Sequence, residues 1–389
     1  MSPLLIYQIV ITAFPVYIIV LTLINFVTTR SLSAYGFQQK FTAEAPLVSI
    51  LVPARNEASN IARCIRSLLN QDYPNFELIV LDDNSEDATA SIVEMLTSPT
   101  EDPQGRLRVI KGGELPEGWL GKNYACFQLA EAARGQYLLF TDADTSHSVN
   151  ALTSALAAMY IEDAQLLSFF PLQQTIMFGE RLAVPLLQMY TFGLLPVFMV
   201  PRSTNPAFSA ANGQFMLFNR TAYDQIGGHQ AVRGVVLEDV VLARRIKQAG
   251  FRLLLPDGRD SMTCRMYRNN YEVWRGFSKN LFAFFNFEVG WLALFLLFNL
   301  LVFIGPFFWL LFALVTRQPV SPEWVWLPVA QIVMGAFIRL LHSTRYNFSL
   351  LDIFIQPIAI IYMTAIAINS VRWKNETTEW KGRKYRLHS

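Results

Sequence analysis

Charge and cysteine are both scarce in this chain. Of its 389 residues only 16% are charged, against about 25% in an ordinary soluble domain. The net charge is only +2, which gives no basis for binding nucleic acid. The three cysteines, Cys64, Cys126 and Cys264, form no C-x-x-C pair and have no histidine at ligand spacing. That argues against a disulfide framework or a zinc site and for structural thiols in a reducing compartment. Four histidines, His147, His229, His342 and His388, are scattered. Only His229, near Gly227-Gly228 and an acid pair, merits a test, and a plain loop histidine would look the same.

Apolar residues fill the space that charge leaves. They make up 52% of the chain, and mean hydropathy is +0.29. Residues 4–27 form an uncharged apolar run of 24 residues, long enough for a spanning helix. It has no basic n-region and no small-residue cleavage site, so it reads as an anchor rather than a signal peptide. Three more candidates lie at 291–315, 324–341 and 350–371, each with tryptophan, arginine or histidine near an end, as interfacial anchoring favours. Asp352 and Arg339 are the acid and base within these C-terminal segments, near their ends. The chain therefore divides into an anchor at 1–29, a domain at 30–289, C-terminal transmembrane or interfacial helices at 290–371 and a basic tail at 372–389.

Arg30 and Lys40 follow the first run, and nothing basic precedes it. The positive-inside rule then expects a multi-pass protein of the cell membrane with its large domain in the cytoplasm. The tail, with Arg372, Lys374, Lys381, Arg383, Lys384 and Arg386, favours the same side. Three later crossings would leave it outside, so either one C-terminal segment is re-entrant or interfacial, or the count differs.

Within the domain, short apolar runs alternate with helical patterns. Strands are expected at 47–52 (ended by Pro53), 76–81, 107–110 and 137–140, and helices at 60–69, 88–96 and 123–133, the first capped by Asn56 or Ser59. This order predicts right-handed βαβ units and a mostly parallel, twisted sheet. Ligands bind beyond the carboxyl ends of such strands. There stand Arg55, Asn56 and Glu57 after the first strand, Asp82 and Asp83 after the second, and Asp142 and Asp144 after the fourth. Two acids one residue apart at a strand exit can share one hard divalent cation, Mg²⁺ or Mn²⁺, which in turn holds a diphosphate. A solvated turn would show the same pair alone; three acid-bearing exits on one edge weigh more.

Residues 176–201 are strongly apolar but contain Pro185 and Pro196. An interfacial helix pair on the bilayer surface is expected there in preference to a buried core element. A small-residue turn and strand follow at 208–219, then a short helix at 220–226. Glu238 and Asp239 open a helix at 240–249 that ends in Arg244, Arg245, Lys247 and Gly250. Acids at a helix start also complement its dipole.

Six motifs occur in order: P-A-R-N-E, D-D-N-S-x-D, G-K-N, T-D-A-D-T, A-N-G-Q-F and V-L-E-D. Together they resemble a family 2 glycosyltransferase over roughly residues 48–255. The resemblance implies an α/β nucleotide-diphospho-sugar transferase domain of the type-A fold, with transmembrane helices at both ends. The whole layout is most similar to carotenoid- and hopanoid-type lipid glycosyltransferases and, more distantly, to ceramide glucosyltransferases. By position, Pro53, Arg55 and Glu57 would line the nucleotide pocket, with Asp82 and Asp83 at the base or ribose. Lys122 would lie beside the base or diphosphate. Asp142 and Asp144 would hold the metal, and Asn212, Gly213 and Gln214 would border the sugar and acceptor. Asp239 would be the base, with Glu238 beside it. The partners implied are a nucleotide sugar, UDP-glucose by commonest usage, a lipid acceptor and the bilayer.

One departure stands out. Processive members and ceramide glucosyltransferases carry Gln/Arg-x-x-Arg-Trp downstream of the base, whereas Arg265-Met-Tyr-Arg268 is followed here by Asn269. Arg265, Arg268, Trp274 and Arg275 could supply diphosphate and acceptor contacts in another register, and an amphipathic helix entering the membrane explains them equally. The missing tryptophan argues against a polysaccharide synthase, whose growing chain would stack on it. A scaffold without chemistry would have lost an acid at 142, 144 or 239, and a transporter would carry ionisable groups deep within its spans.

Overall fold

The computed structural model describes residues 1–36, 41–374, 377–380 and 383–386. It divides into two compact units. One, an α/β unit, comprises Thr29–Gln173, Val197–Met266 and Thr377–Ser389; the other, helical, comprises Met1–Thr28, Gln174–Pro196 and Tyr267–Glu376. Most of the basic tail, with Lys374, Lys381, Lys384 and their neighbours, lies outside the residues whose side chains are described.

The α/β unit contains strands β1 (Val48–Ala54), β2 (Phe76–Asp82), β3 (Leu107–Lys111), β4 (Tyr137–Thr141), β5 (Thr145–His147), β6 (Leu166–Ser168), β7 (Leu172–Gln173), β8 (Phe215–Asn219), β9 (Leu253–Leu254) and β10 (Met262–Cys264). Seven of them form one sheet in the order β3-β2-β1-β4-β8-β6-β9. The pairs β1–β2, β2–β3, β1–β4 and β6–β9 are parallel, while β8 runs antiparallel to both neighbours. β1 and β2 are buried at every position, which is why they read as unbroken apolar runs rather than alternating ones. A second sheet, β5-β10-β7, lies just beyond the Asp142-Ala143-Asp144 turn.

Two local details differ from expectation. Pro53 does not end the first strand; it sits inside β1 opposite Leu81. β4 pairs with β1 only as far as Leu51, so beyond that point a missing N–H on the open side costs no ladder bond. The first helix begins at Ile61 with Asn60 as its N-cap, because Asn56 is held in a left-handed turn at φ 53°.

Among the described residues of the helical unit, three helices are long and apolar enough to cross a membrane: Pro3–Thr28, Val289–Val315 and Pro322–Arg345. The fourth expected span is shorter. A 3-10 turn at Leu350–Ile353 precedes a helix of only 15 residues, Gln356–Ser370. In place of the helix pair expected at 176–201, there is one α-helix, Phe178–Leu194, and a single 3-10 turn, Val197–Met199. The end of the α-helix is set by Pro196, which holds Leu195 extended at ψ 126°. Polar contacts tie these apolar helices together. Gln331 donates to Gln8 Oε1 and Thr12 Oγ1, both at 2.9 Å. Asn25 donates to the carbonyls of Phe192 and Leu195. The buried Asp352 carboxylate accepts from Arg181, and Arg339 donates to the Arg181 carbonyl. An acid and a base placed near segment ends thus become one buried ion cluster.

The α/β core tests its own packing at Gly258. A Cβ there would lie 2.0 Å from Phe169, whose ring stacks on Phe215 at 4.3 Å. Gly258→Ala should destabilise the unit by about 1–3 kcal/mol through overpacking, read as a lower unfolding temperature in detergent; unchanged melting would show that Phe169 can yield.

Candidate active site

The site is assembled at the carboxyl ends of β1, β2 and β4. β1 leads to Arg55, which is buried and donates to the carbonyls of Asp83 (2.6 Å) and Asn84 (2.8 Å) while pairing with Glu86 at 3.1 Å. Asn56 and Ser85 cross-link the same two loops, since Asn56 N donates to Ser85 Oγ and Glu86 N to Asn56 Oδ1. Arg55 therefore binds loop to loop. Pro53, Glu57, Asp82 and Asp83 are buried around this junction. Glu57 accepts from Asn60, and Asp82 from the Ser85 N–H.

Lys122 opens the helix Gly121–Ala132 and sits among acids from distant parts of the chain. Its Nζ is 2.8 Å from Asp142 Oδ1 and 3.3 Å from Glu238 Oε1. Burial opposes the charge on Lys122, yet Asp142 and Glu238 outweigh it and hold the ammonium well above the usual lysine range. Gly213 closes the cluster. A Cβ there would stand 3.2 Å from Lys122 Nζ, 3.5 Å from Glu238 Oε1 and 3.7 Å from Asp239 Oδ2. Only a residue without a side chain leaves that space open.

Asp239 and Glu238 come from the start of the helix Glu238–Gln248. Asp239 Oδ2 accepts from Gly213 N at 3.0 Å and Oδ1 from Val240 N at 2.8 Å. Burial and the neighbouring Glu238 push its carboxyl up to about 7, against the pull of Lys122 and the two N–H groups. A carboxyl tuned to that range suits proton transfer at neutral pH.

The Asp142-Ala143-Asp144 turn is held by neighbours that spacing alone did not mark. Thr141 donates to the Gln214 carbonyl at 2.8 Å and Thr145 to the Asp142 carbonyl at 2.7 Å. Gln214 is buried and donates to Cys264 Sγ while accepting from Gln173. Asn123 donates to the carbonyls of Val232, Arg233 and Val235, so the residue next to Lys122 fixes the approach to Glu238. The G-K-N motif contained that signal, since a buried asparagine must spend its amide somewhere. His147 is buried and pushed down to about 3 by desolvation, hence neutral. His229 belongs to the core: its Nδ1 is 2.8 Å from the Tyr223 hydroxyl, and its ring lies 4.5 Å from that of Phe140.

Of the remaining candidates, Arg265 follows β10 in the α/β unit, while Arg268, Trp274 and Arg275 belong to the helical unit. Trp274 packs on Tyr362 and Arg275 lies over Tyr271. Among the described residues no group of three or more histidines, cysteines or acids could by itself hold a metal ion. A hard cation that takes one or two carboxylates and completes its shell with phosphate oxygens and water asks for less. Asp142 and Asp144 supply oxygens of that kind, and the Lys122 ammonium already stands on Asp142 as a cation.

Residues 49–227 match the model for glycosyl transferase family 2. The chain carries a family 2 glycosyltransferase domain. It is 25% identical over 354 residues to the 4,4'-diaponeurosporenoate glycosyltransferase of Staphylococcus aureus (strain USA300), spanning 87% of this chain and 88% of that one. The chain is accordingly a glycosyltransferase. Among solved structures it resembles the mannosyltransferase PcManGT from Pyrobaculum calidifontis in complex with GDP-Man and Mn2+, at 18% identity and TM-score 0.49, covering 92% of this chain and 98% of that one. It also resembles S. aureus TarS 1-349 in complex with UDP-GlcNAc, at 16% identity and TM-score 0.40, covering 84% and 89%. The family match stops short of Glu238 and Asp239, which the fold brings to the glycosyltransferase domain's own residues.

A carboxyl near 7 makes the activity of this domain depend on pH in a definite direction. If Asp239 must be ionised to work, kcat/KM should rise with pH to a plateau above about 7 and fall about tenfold per unit below it. Lys122 lowers the Asp239 pKa, so Lys122→Met should move the inflection to higher pH, while Glu238→Gln should move it lower. A profile flat from pH 5 to 8 would remove Asp239 from the reaction.

Proposed function

We propose that this glycosyltransferase transfers one hexose from a nucleotide sugar, UDP-glucose in the first instance, to a membrane lipid of carotenoid type, at a hydroxyl or carboxyl group and with inversion. The observation that carries this reading is the meeting of Lys122, Asp142, Glu238 and Asp239 around Gly213. That meeting supports the reading of a base and a fixed cation acting on one substrate. The relative named for a carotenoid acid supports the acceptor class.

In this mechanism Pro53, Arg55, Glu57, Asp82 and Asp83 shape the nucleotide pocket. Lys122 offers fixed positive charge to the diphosphate, and preorganised charge of this kind lowers the barrier without reorganising during reaction. Asp142 and Asp144 would hold Mg²⁺ or Mn²⁺, which would neutralise the charge on the departing diphosphate. Asp239 takes the acceptor proton as the acceptor oxygen attacks the anomeric carbon. With Asp239 as the one base, a single displacement accounts for the transfer and gives inversion. Gly213 and Gln214 border the sugar, and Arg265 serves the acceptor and diphosphate.

The helices suit a water-insoluble acceptor. Three can cross a membrane, whereas the helix Gln356–Ser370, about 22 Å long at 1.5 Å per residue, falls short of a hydrocarbon core of about 30 Å. With two crossings after the domain, the basic tail returns to the domain's side, and the positive-inside rule places both in the cytoplasm.

Membranes bearing the protein, given radiolabelled UDP-glucose and Mn²⁺, should place label in the lipid extract at the mass of acceptor plus one hexose. EDTA should lower incorporation at least about tenfold. Label confined to an aqueous polymer would overturn the proposal. Asp239→Asn should bind donor normally yet transfer to a hydroxyl acceptor about 10²–10⁴-fold more slowly. A carboxylate acceptor, already ionised at pH 7, should lose less. Wild-type turnover of the variant with a hydroxyl acceptor would rule Asp239 out as the base.

A further inference from the structure

We infer that His147 and Thr145 are positioning residues that set the shape of the Asp142-Ala143-Asp144 turn for metal binding. The inference rests on the assignment of those two aspartates as the metal carboxylates. Two like charges one residue apart repel, and a short turn cannot hold both toward one point unless its backbone is fixed from behind.

Here the fixing is done by buried groups. Thr141, Thr145 and His147 are all buried. The Asp142 carbonyl accepts from the Thr145 hydroxyl at 2.7 Å and lies 3.6 Å from Cys64 Sγ. The Thr141 hydroxyl is committed to the Gln214 carbonyl at 2.8 Å. Both hydroxyl hydrogens are thus spent on carbonyls. His147 Nε2 lies 3.1 Å from Thr141 Oγ1 and 3.0 Å from Thr145 Oγ1. With no hydroxyl hydrogen left to give, the imidazole must donate, so the proton sits on Nε2 and is shared between the two oxygens. One ring N–H therefore orients both threonines. Through Thr145 it reaches the metal turn, and through Thr141 it reaches Gln214, next to the Gly213 N–H that holds Asp239.

Pairing of β5 with β10 seats this clamp, with His147 opposite Met262 and Thr145 opposite Cys264. The His147 ring also lies 6.0 Å from that of Phe215, so packing alone could explain its burial. The two roles respond differently to substitution. Glutamine can place an N–H where Nε2 stands; leucine keeps the apolar bulk without a donor. Serine keeps the hydroxyl of Thr145; valine keeps its shape without one.

The test is Mn²⁺ binding to the purified full-length protein with UDP, read from the electron paramagnetic resonance of free Mn²⁺ and paired with thermal unfolding. Loss of such supporting partners typically weakens metal affinity about 10–100-fold. His147→Leu and Thr145→Val should show that loss, while His147→Gln and Thr145→Ser stay within about threefold of wild type. If His147→Leu does not fold, the near-isosteric Thr145→Val decides alone. Wild-type affinity in Thr145→Val overturns the inference and leaves the metal assignment intact. A wild-type protein that binds no Mn²⁺ with UDP overturns both.

Discussion

A single ammonium among three carboxylates organises the candidate site of this protein. Lys122 touches Asp142 and Glu238 directly and lies across Gly213 from Asp239. Holding one cation out of bulk water costs several kcal/mol unless it is paired, and here the acids outnumber it. Burial and the neighbouring Glu238 together push the Asp239 carboxyl into the neutral range, and the excess of acid over base suits the proposed metal carboxylates, Asp142 and Asp144, to a divalent cation. Two of the acids also stand at a helix start, where the dipole favours them by about 0.3–1 kcal/mol each.

The fold earns this arrangement by reversing one strand. β1, β2 and β4 are parallel and deliver their exits to one edge, but Gly213 lies in the turn that enters β8, antiparallel to β4. That reversal sets Gln214 against Thr141 and aims the Gly213 N–H at Asp239. Loop-to-loop bonds from Arg55 and Asn123 then fix what the strands place. In the helical unit the same rule operates at lower polarity: glutamine, asparagine and an arginine–aspartate cluster supply the specific contacts that apolar surfaces cannot.

Much of the α/β unit was legible because its central strands β1 and β2 are buried on both faces, and such runs leave a strong mark in composition. The acid pairs were legible because strand exits are where polar residues interrupt those runs. Other features left no such mark. Pro53 inside β1 depends on how far β4 extends beside it. The single helix Phe178–Leu194 depends on which unit receives its apolar surface. His147 and Asn123 gain their roles from carbonyls up to about a hundred positions away.

Sequence alone determined the layer order of the domain, the identity of the acids, the apolar helices at both ends and the family to which the motifs point, since each follows from local pattern and residue type. Tertiary structure decided which acids share a cation, which carboxyl is raised into the neutral range and which neutral side chains brace the turn that carries two of them. Those outcomes depend on distances and desolvation, and neither exists until remote segments pack together.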